Sequence, residues 1–153
     1  MTELVAIQDC YAEEFAHCYG CGRLNEHGLK LKSYADGDET VCRFTPDPKY
    51  SGGYPGFLYG GMIASLMDCH GAATAWAAKA GTEGQAATRF VTASLKVDFR
   101  APTPTNVEIE IRGKVNEIKG RKVVVDLTLS AAGKLCAEGS AVMVEIPINK
   151  QEG

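Results

Sequence analysis

The sequence predicts an α+β fold: an antiparallel sheet of about six strands curled around one long central helix, in the order β-β-α-β-β-β-β, with a short helix ahead of it. Residues 58 to 78 form a nearly unbroken run of Gly, Ala, Met, Leu, Ile, Ser, Thr and one Trp. Such a run favours helix and, being apolar on nearly every side, must be wrapped by other elements. Beyond it the texture changes to stretches that alternate apolar and polar residues, each closed by Pro or Gly, which is the period of half-buried strands.

The elements follow in order. Leu4 to Phe15 mixes apolar and acidic residues in a way that suits a short helix, and CYGCG at Cys18 to Gly22 is a Gly-rich turn. LKLKSYADG alternates from Leu29 and ends at Gly37, while ETVCRFTP follows at once as its hairpin partner. Asp36, Gly37 and Asp38 supply the turn. Residues 46–57, PDPKYSGGYPGF, hold three of the six prolines and three glycines and make an ordered loop. The central helix comes next and ends at a loop around Gly81 to Gly84. Four strands follow, TRFVTASLKVDFRAP, NVEIEIRGKVNEIKG, RKVVVDLTLSAAG and KLCAEGSAVMVEIP. Turns at Pro102–Asn106, Lys119–Gly120 and Ala132–Gly133 join them as a meander.

A chain of 153 residues fits one domain, residues 1–153, with 1–17 an N-terminal extension and 148–153 a tail. A net charge of -3 speaks against a nucleic-acid partner, which calls for a concentration of Lys and Arg. The opening MTELVAIQDC lacks the basic segment of a secretory leader, so a cytoplasmic protein is expected, its six unevenly spaced cysteines reduced thiols. Residues 58 to 78 have the length of a membrane span, yet Asp68 and His70 lie inside the run. A central carboxylate opposes insertion, so a buried helix and no membrane partner are expected.

Asp68 is the most informative residue. Burying an ionised carboxylate without a partner costs several kcal/mol, so such groups are paired, neutralised or kept for chemistry. The pairing alternative is an ion pair with Arg89, Arg100 or Lys96 from a neighbouring strand.

The run YPGFLYGGMIASLMDCHGAATAW, followed by TASLKVDFRAPTP and preceded by CYGCG…HGLKLK, resembles the hot-dog thioesterases of the phenylacetic-acid-degradation (PaaI) type over residues 18 to 147. The resemblance implies a hot-dog fold, hydrolysis of an acyl-CoA thioester without a cofactor, and self-association as a homodimer or dimer of dimers with sites at the interface. It carries the Gly-Gly pair that opens the helix onto Gly60 and Gly61, and the acid two turns along it onto Asp68. A strand hydroxyl near the acid of the partner subunit falls best on Thr92. Two positions depart from the pattern. The His that commonly precedes the Gly-Gly pair is Tyr59 here, and the loop SGGYPGF offers no Asn or Gln, only Ser51 or a backbone group.

Each assignment has a physical basis. The first N–H groups of a helix are unpaired and carry partial positive charge, so Gly60 and Gly61 can present them to a thioester oxygen as an oxyanion site. The same glycines also suit a tight loop entry. Asp68 lies seven residues beyond Gly61, about two turns along and on nearly the same face, where it can activate water or attack the carbonyl directly. Tyr59 can donate a hydrogen bond to a substrate carbonyl. By strand alternation Ser94 shares a face with Thr92. Phe57, Met62, Leu66 and Trp76 suit an acyl pocket, or plain core. Arg100, Lys96, Arg121 and Lys122 suit nucleotide phosphates.

His70, two residues after Asp68, points about 200° away and is expected to be structural. That weakens a hydratase or dehydratase reading, in which acid and base must converge. A non-catalytic acyl-CoA-binding domain stays open as the alternative. Cys18-x-x-Cys21, with His17 and His27 nearby, invites a zinc reading. Four ligands are not in evidence, so no metal is expected and the motif is taken as a turn with small buried thiols.

Overall fold

The computed structural model describes residues 4–80 and 88–147. The helix-ending loop expected at Gly81 to Gly84 and the tail at 148–153 lie outside them. Helix α1 spans Gly60–Ala80 and packs against all six strands of one antiparallel sheet. The strands are β1 (Ser33–Asp36), β2 (Glu39–Phe44), β3 (Thr88–Phe99), β4 (Ile109–Lys119), β5 (Lys122–Ala131) and β6 (Lys134–Pro147). The order β-β-α-β-β-β-β therefore holds. Alternation does its predicted work on β4 and β5. Ile109, Ile111, Val123, Val125, Leu127 and Leu129 are fully buried toward Leu66 and Met67 of the helix.

The pairing differs from a four-strand meander. The sheet order is β1-β2-β4-β5-β6-β3, so of the last four strands only β4, β5 and β6 follow one another as hairpins, and β3 lies at an edge beside β6. The segment Pro102–Asn106 is accordingly a crossover rather than a hairpin turn. It is strapped to the loop that precedes the helix: the Leu58 amide donates to the Thr103 carbonyl at 2.8 Å, and the Asn106 amide to the Pro46 carbonyl at 2.7 Å. Alternation marks which residues face the helix but says nothing about which strand edges meet.

Two N-terminal expectations are also corrected. The short helix over Leu4 to Phe15 is instead a pair of 3-10 turns, Ile7–Cys10 and Glu13–Phe15, with Tyr11 extended between them. The Arg23 guanidinium reaches the Tyr11 carbonyl at 2.9 Å and the Gln8 carbonyl at 3.5 Å, taking acceptors that an α-helix would have used. The first strand begins at Ser33, not Leu29. Residues Leu29 and Leu31 donate to the Tyr19 and Gly20 carbonyls at 2.9 and 3.0 Å, and Lys30 sits at φ 55, so this stretch belongs to the CYGCG turn.

Candidate active site

Asp68 projects from the face of α1 that packs beside the edge strand β3 and is partly exposed. The Thr92 hydroxyl donates to its Oδ1 at 2.5 Å and also lies 3.4 Å from the Met143 sulfur. Among the described residues no Lys or Arg nitrogen comes within 4.0 Å of Asp68, so the alternative of an ion pair with Arg89, Arg100 or Lys96 is not realised there. Thr92 and Asp68 belong to the same chain, whereas the resemblance placed the hydroxyl beside a partner's acid.

The carboxylate opens onto a cleft of about 420 Å³ with three walls. Asp68, Cys69, Ala72 and Trp76 give the helix wall, one to four residues apart along one side. Residues 88–92 of β3 give the second wall. The third is the N-terminal segment, with Tyr11, Phe15, Cys18 and Cys21. This wall is missed by a reading that treats 1–17 as an extension. Its anchor is aromatic: Tyr11 meets Trp76 edge to face with centroids 5.6 Å apart, and the Arg89 guanidinium lies 5.1 Å from the centre of the Phe15 ring. Burial pushes the Tyr11 phenol well above its ordinary range, followed by the nearby thiols, so it stays a neutral hydrogen-bonding group.

Several predicted residues are elsewhere. Gly60 and Gly61 do not line this cleft. Seven residues at 1.5 Å each put the Gly61 amide about 10 Å along the helix axis from Asp68, so sharing a face does not make one site within one chain. At the helix start the amides of Met62 and Ile63 both turn to the Tyr59 carbonyl, at 3.1 and 3.3 Å, which leaves those of Gly60 and Gly61 as the open pair. The Tyr59 ring lies over Gly61 and the Phe99 ring over Gly60, so close that a Cβ at Gly61 would stand 2.6 Å from Tyr59 Cε2.

Ser94 does not share Thr92's face. A bulge at Ala93 lets Thr92 pair with Met143 but Ser94 with Val142, and so turns Ser94 to the outer face of the sheet. Met62 and Leu66 are core residues at 2% and 1% exposure, and Phe57 stands exposed in the loop before the helix. Of the proposed acyl-pocket residues only Trp76 borders the cleft. Arg100 pairs with Glu138 at 2.9 Å and Lys96 with Asp98 at 3.3 Å, on the surface and away from it. The cation at the cleft is Arg89.

His70 faces the opposite way and is fully buried. Its Nδ1 lies 2.8 Å from Ser33 Oγ and its Nε2 3.0 Å from Thr40 Oγ1. The proton order follows from the partners. Gln8 Nε2 donates to Ser33 Oγ, so that hydroxyl donates on to Nδ1 and the ring proton sits on Nε2 toward Thr40. Thr74 donates to the His70 carbonyl at 2.8 Å, leaving the Thr40 hydroxyl to donate to Thr74 at 2.6 Å. Burial pushes the imidazole down to about 4, so it is neutral at ordinary pH.

A six-stranded antiparallel sheet folded on one long helix, in this strand order, with a carboxylate halfway along the helix beside an edge strand, is the hot-dog fold of thioester-processing proteins. The thioesterase superfamily model matches residues 55–137, and the chain belongs to that superfamily. A thioesterase superfamily protein from Shewanella loihica PV-4 is 44% identical, with a TM-score of 0.68 over 88% of this chain and 97% of that one. AziG from S. sahachiroi, 21% identical, shares the fold with a TM-score of 0.66 over 84% of this chain and 99% of its own. The acyl-coenzyme A thioesterase THEM4 of Xenopus laevis is 33% identical over 69% of this chain and 45% of its own length. THEM5 of Mus musculus, also an acyl-coenzyme A thioesterase, is 29% identical over 74% of this chain and 43% of its own. The chain thus spans about half the length of the curated relatives it matches. No helix among the described residues is long and apolar enough to cross a membrane.

Proposed function

We propose that the protein hydrolyses an acyl-CoA thioester, with Asp68 as the group that activates water or attacks the carbonyl. One observation carries this: a carboxylate in a largely apolar helix, with no cationic partner and a single hydroxyl donor among the described residues, opening onto a cleft. In the general-base route Asp68 takes a proton from water as the water oxygen bonds to the carbonyl carbon, and the C–S bond then breaks to release CoA as thiolate. In the nucleophilic route a carboxylate oxygen forms that bond and the C–S bond breaks with CoA leaving as thiolate, giving a mixed anhydride that water then cleaves to the free acid and the Asp68 carboxylate. Thr92 holds the carboxylate in either case. Trp76, Phe90 and Val91 supply apolar wall for the acyl group, and Arg89 offers charge for a phosphate at the rim.

The oxyanion donors come from a second copy in this proposal. One chain leaves Asp68 and the Gly60–Gly61 amides about 10 Å apart, and β3 is an edge strand with Phe99 56% exposed at one end and Val91 38% exposed at the other. Phe99 overlies Gly60, and Thr92 meets Asp68. Antiparallel pairing of two β3 strands therefore brings the Asp68 end of one copy toward the partner subunit's Gly60 and Gly61.

Free-CoA release from short, medium, long and aromatic acyl-CoAs, by wild type and Asp68→Asn, tests the reading. Turnover lost in Asp68→Asn is expected. Binding of the esters without turnover by folded wild type would point instead to a non-catalytic acyl-CoA-binding domain. Mixed oligomers of Asp68→Asn with Gly61→Val should regain activity that neither variant has alone; no recovery would reject the shared site.

A further inference from the structure

We propose that Cys18, Cys21 and Cys69 form a binding site for a thiophilic d10 cation, zinc(II) in the first instance. The Cys-x-x-Cys pair alone lacks ligands, and neither His17 nor His27 joins it. The fold supplies a third thiol from the middle of α1. The three Sγ atoms all lie within 4.8 Å of one another, with Cys18 and Cys69 3.8 Å apart. Zinc–sulfur bonds of about 2.3 Å give a tetrahedron whose edge is about 3.8 Å, so the cluster closes on a cation with small side-chain shifts.

The turn is built to bring the thiols together. Gly22 donates to the Cys18 carbonyl at 2.8 Å, and a Cβ at Gly22 would fall 2.4 Å from the Cys18 nitrogen. At Gly20 a Cβ would fall 2.4 Å from Cys69 Sγ, so only glycine lets the turn lie against the helix at that thiol. The Cys18 and Cys69 thiols lie within hydrogen-bond reach of each other across the turn and the helix. All three cysteines are free, and all three border the cleft that Asp68 enters. Binding exchanges the thiol protons for three Zn–S bonds and leaves the fourth position for a ligand from the cleft, such as water. A cation there fastens the N-terminal segment to α1 one residue from Asp68.

The full chain, purified under reducing conditions and stripped with a chelator, is titrated with Zn²⁺ against a chromophoric competitor and, separately, with Co²⁺. The expected result is one ion per chain, thiolate-to-cobalt charge-transfer absorption with the visible bands of a tetrahedral site, and a loss of affinity of roughly 100-fold in Cys18→Ser. Cys18 is the exposed member of the cluster, so that variant should fold, and Cys10→Ser, outside the cluster, serves as the control. Absence of stoichiometric binding by wild type, or equal affinities for Cys18→Ser and Cys10→Ser, overturns the proposal. So does a Cys18–Cys69 or Cys18–Cys21 disulfide that persists in the protein purified under those reducing conditions.

Discussion

Asp68 and His70 stand two residues apart on α1 and meet opposite sides of the fold. His70 lies fully buried between Ser33, Thr40 and the Thr74 layer, and each of its ring nitrogens has a partner within 3.0 Å. Asp68 is partly exposed, keeps one hydroxyl partner among the described residues and opens onto a cleft. Both are polar groups on an apolar helix. The difference is saturation: a network with every donor and acceptor matched fixes structure, whereas a group with unmatched lone pairs at a cavity retains capacity for a substrate or a water.

The largest effect that sharpens this contrast belongs to Asp68→Asn. The variant keeps shape and the Thr92 contact but lacks the basic oxygen, so kcat should fall about 10²- to 10⁴-fold while the melting temperature stays within a degree or two of wild type. Loss of folding in this variant would break the contrast, since it would make Asp68 structural. His70→Leu should do the reverse. It strands the Ser33 and Thr40 hydroxyls in the core and should lower unfolding free energy by about 2–4 kcal/mol in urea titration, with acyl-CoA turnover per folded molecule preserved. A smaller loss, about 1–3 kcal/mol, is expected for Gly113→Ala. Its methyl would fall 2.4 Å from Thr74 Oγ1 and 2.8 Å from Thr40 Oγ1, in the roof of the His70 network. Unchanged stability there would mean that the network is looser than its distances imply.

The contrast was half legible in the sequence. Helical periodicity alone separates Asp68 from His70 by about 200° and so assigns them to different surroundings. The same periodicity misled at Gly61, because an equal angle on the helix says nothing about the roughly 10 Å of rise between the two positions. On β3 the alternation rule failed at a single residue: the bulge at Ala93 reverses every face assignment beyond it, and Ser94 leaves the site while Thr92 stays. Strand identity was readable from patterning, but β3 joins β6 rather than β4 because closure around the helix, not chain order, decides which edges meet. Hardest to see were contacts between distant segments. Tyr11 against Trp76 and Cys18 against Cys69 depend on the N-terminal segment folding back over α1, and no local pattern near either residue announces it.

Thr92 offers the finest test of saturation, because among the described residues it is the one side chain that hydrogen-bonds Asp68. Thr92→Val removes the hydroxyl at nearly constant volume and Thr92→Ser keeps it. If the hydroxyl orients the carboxylate toward the thioester, Val should lower kcat about tenfold, which is about 1.4 kcal/mol of transition-state stabilisation, with KM little changed, and Ser should restore most of it. Thr92 is exposed at the sheet edge, so neither variant should move the urea midpoint appreciably. A loss in Ser with none in Val would trace the effect instead to the methyl, which Val keeps and Ser lacks. An unchanged kcat in Val would show that Asp68 needs no fixed orientation, and the contrast with His70 would then rest on exposure alone.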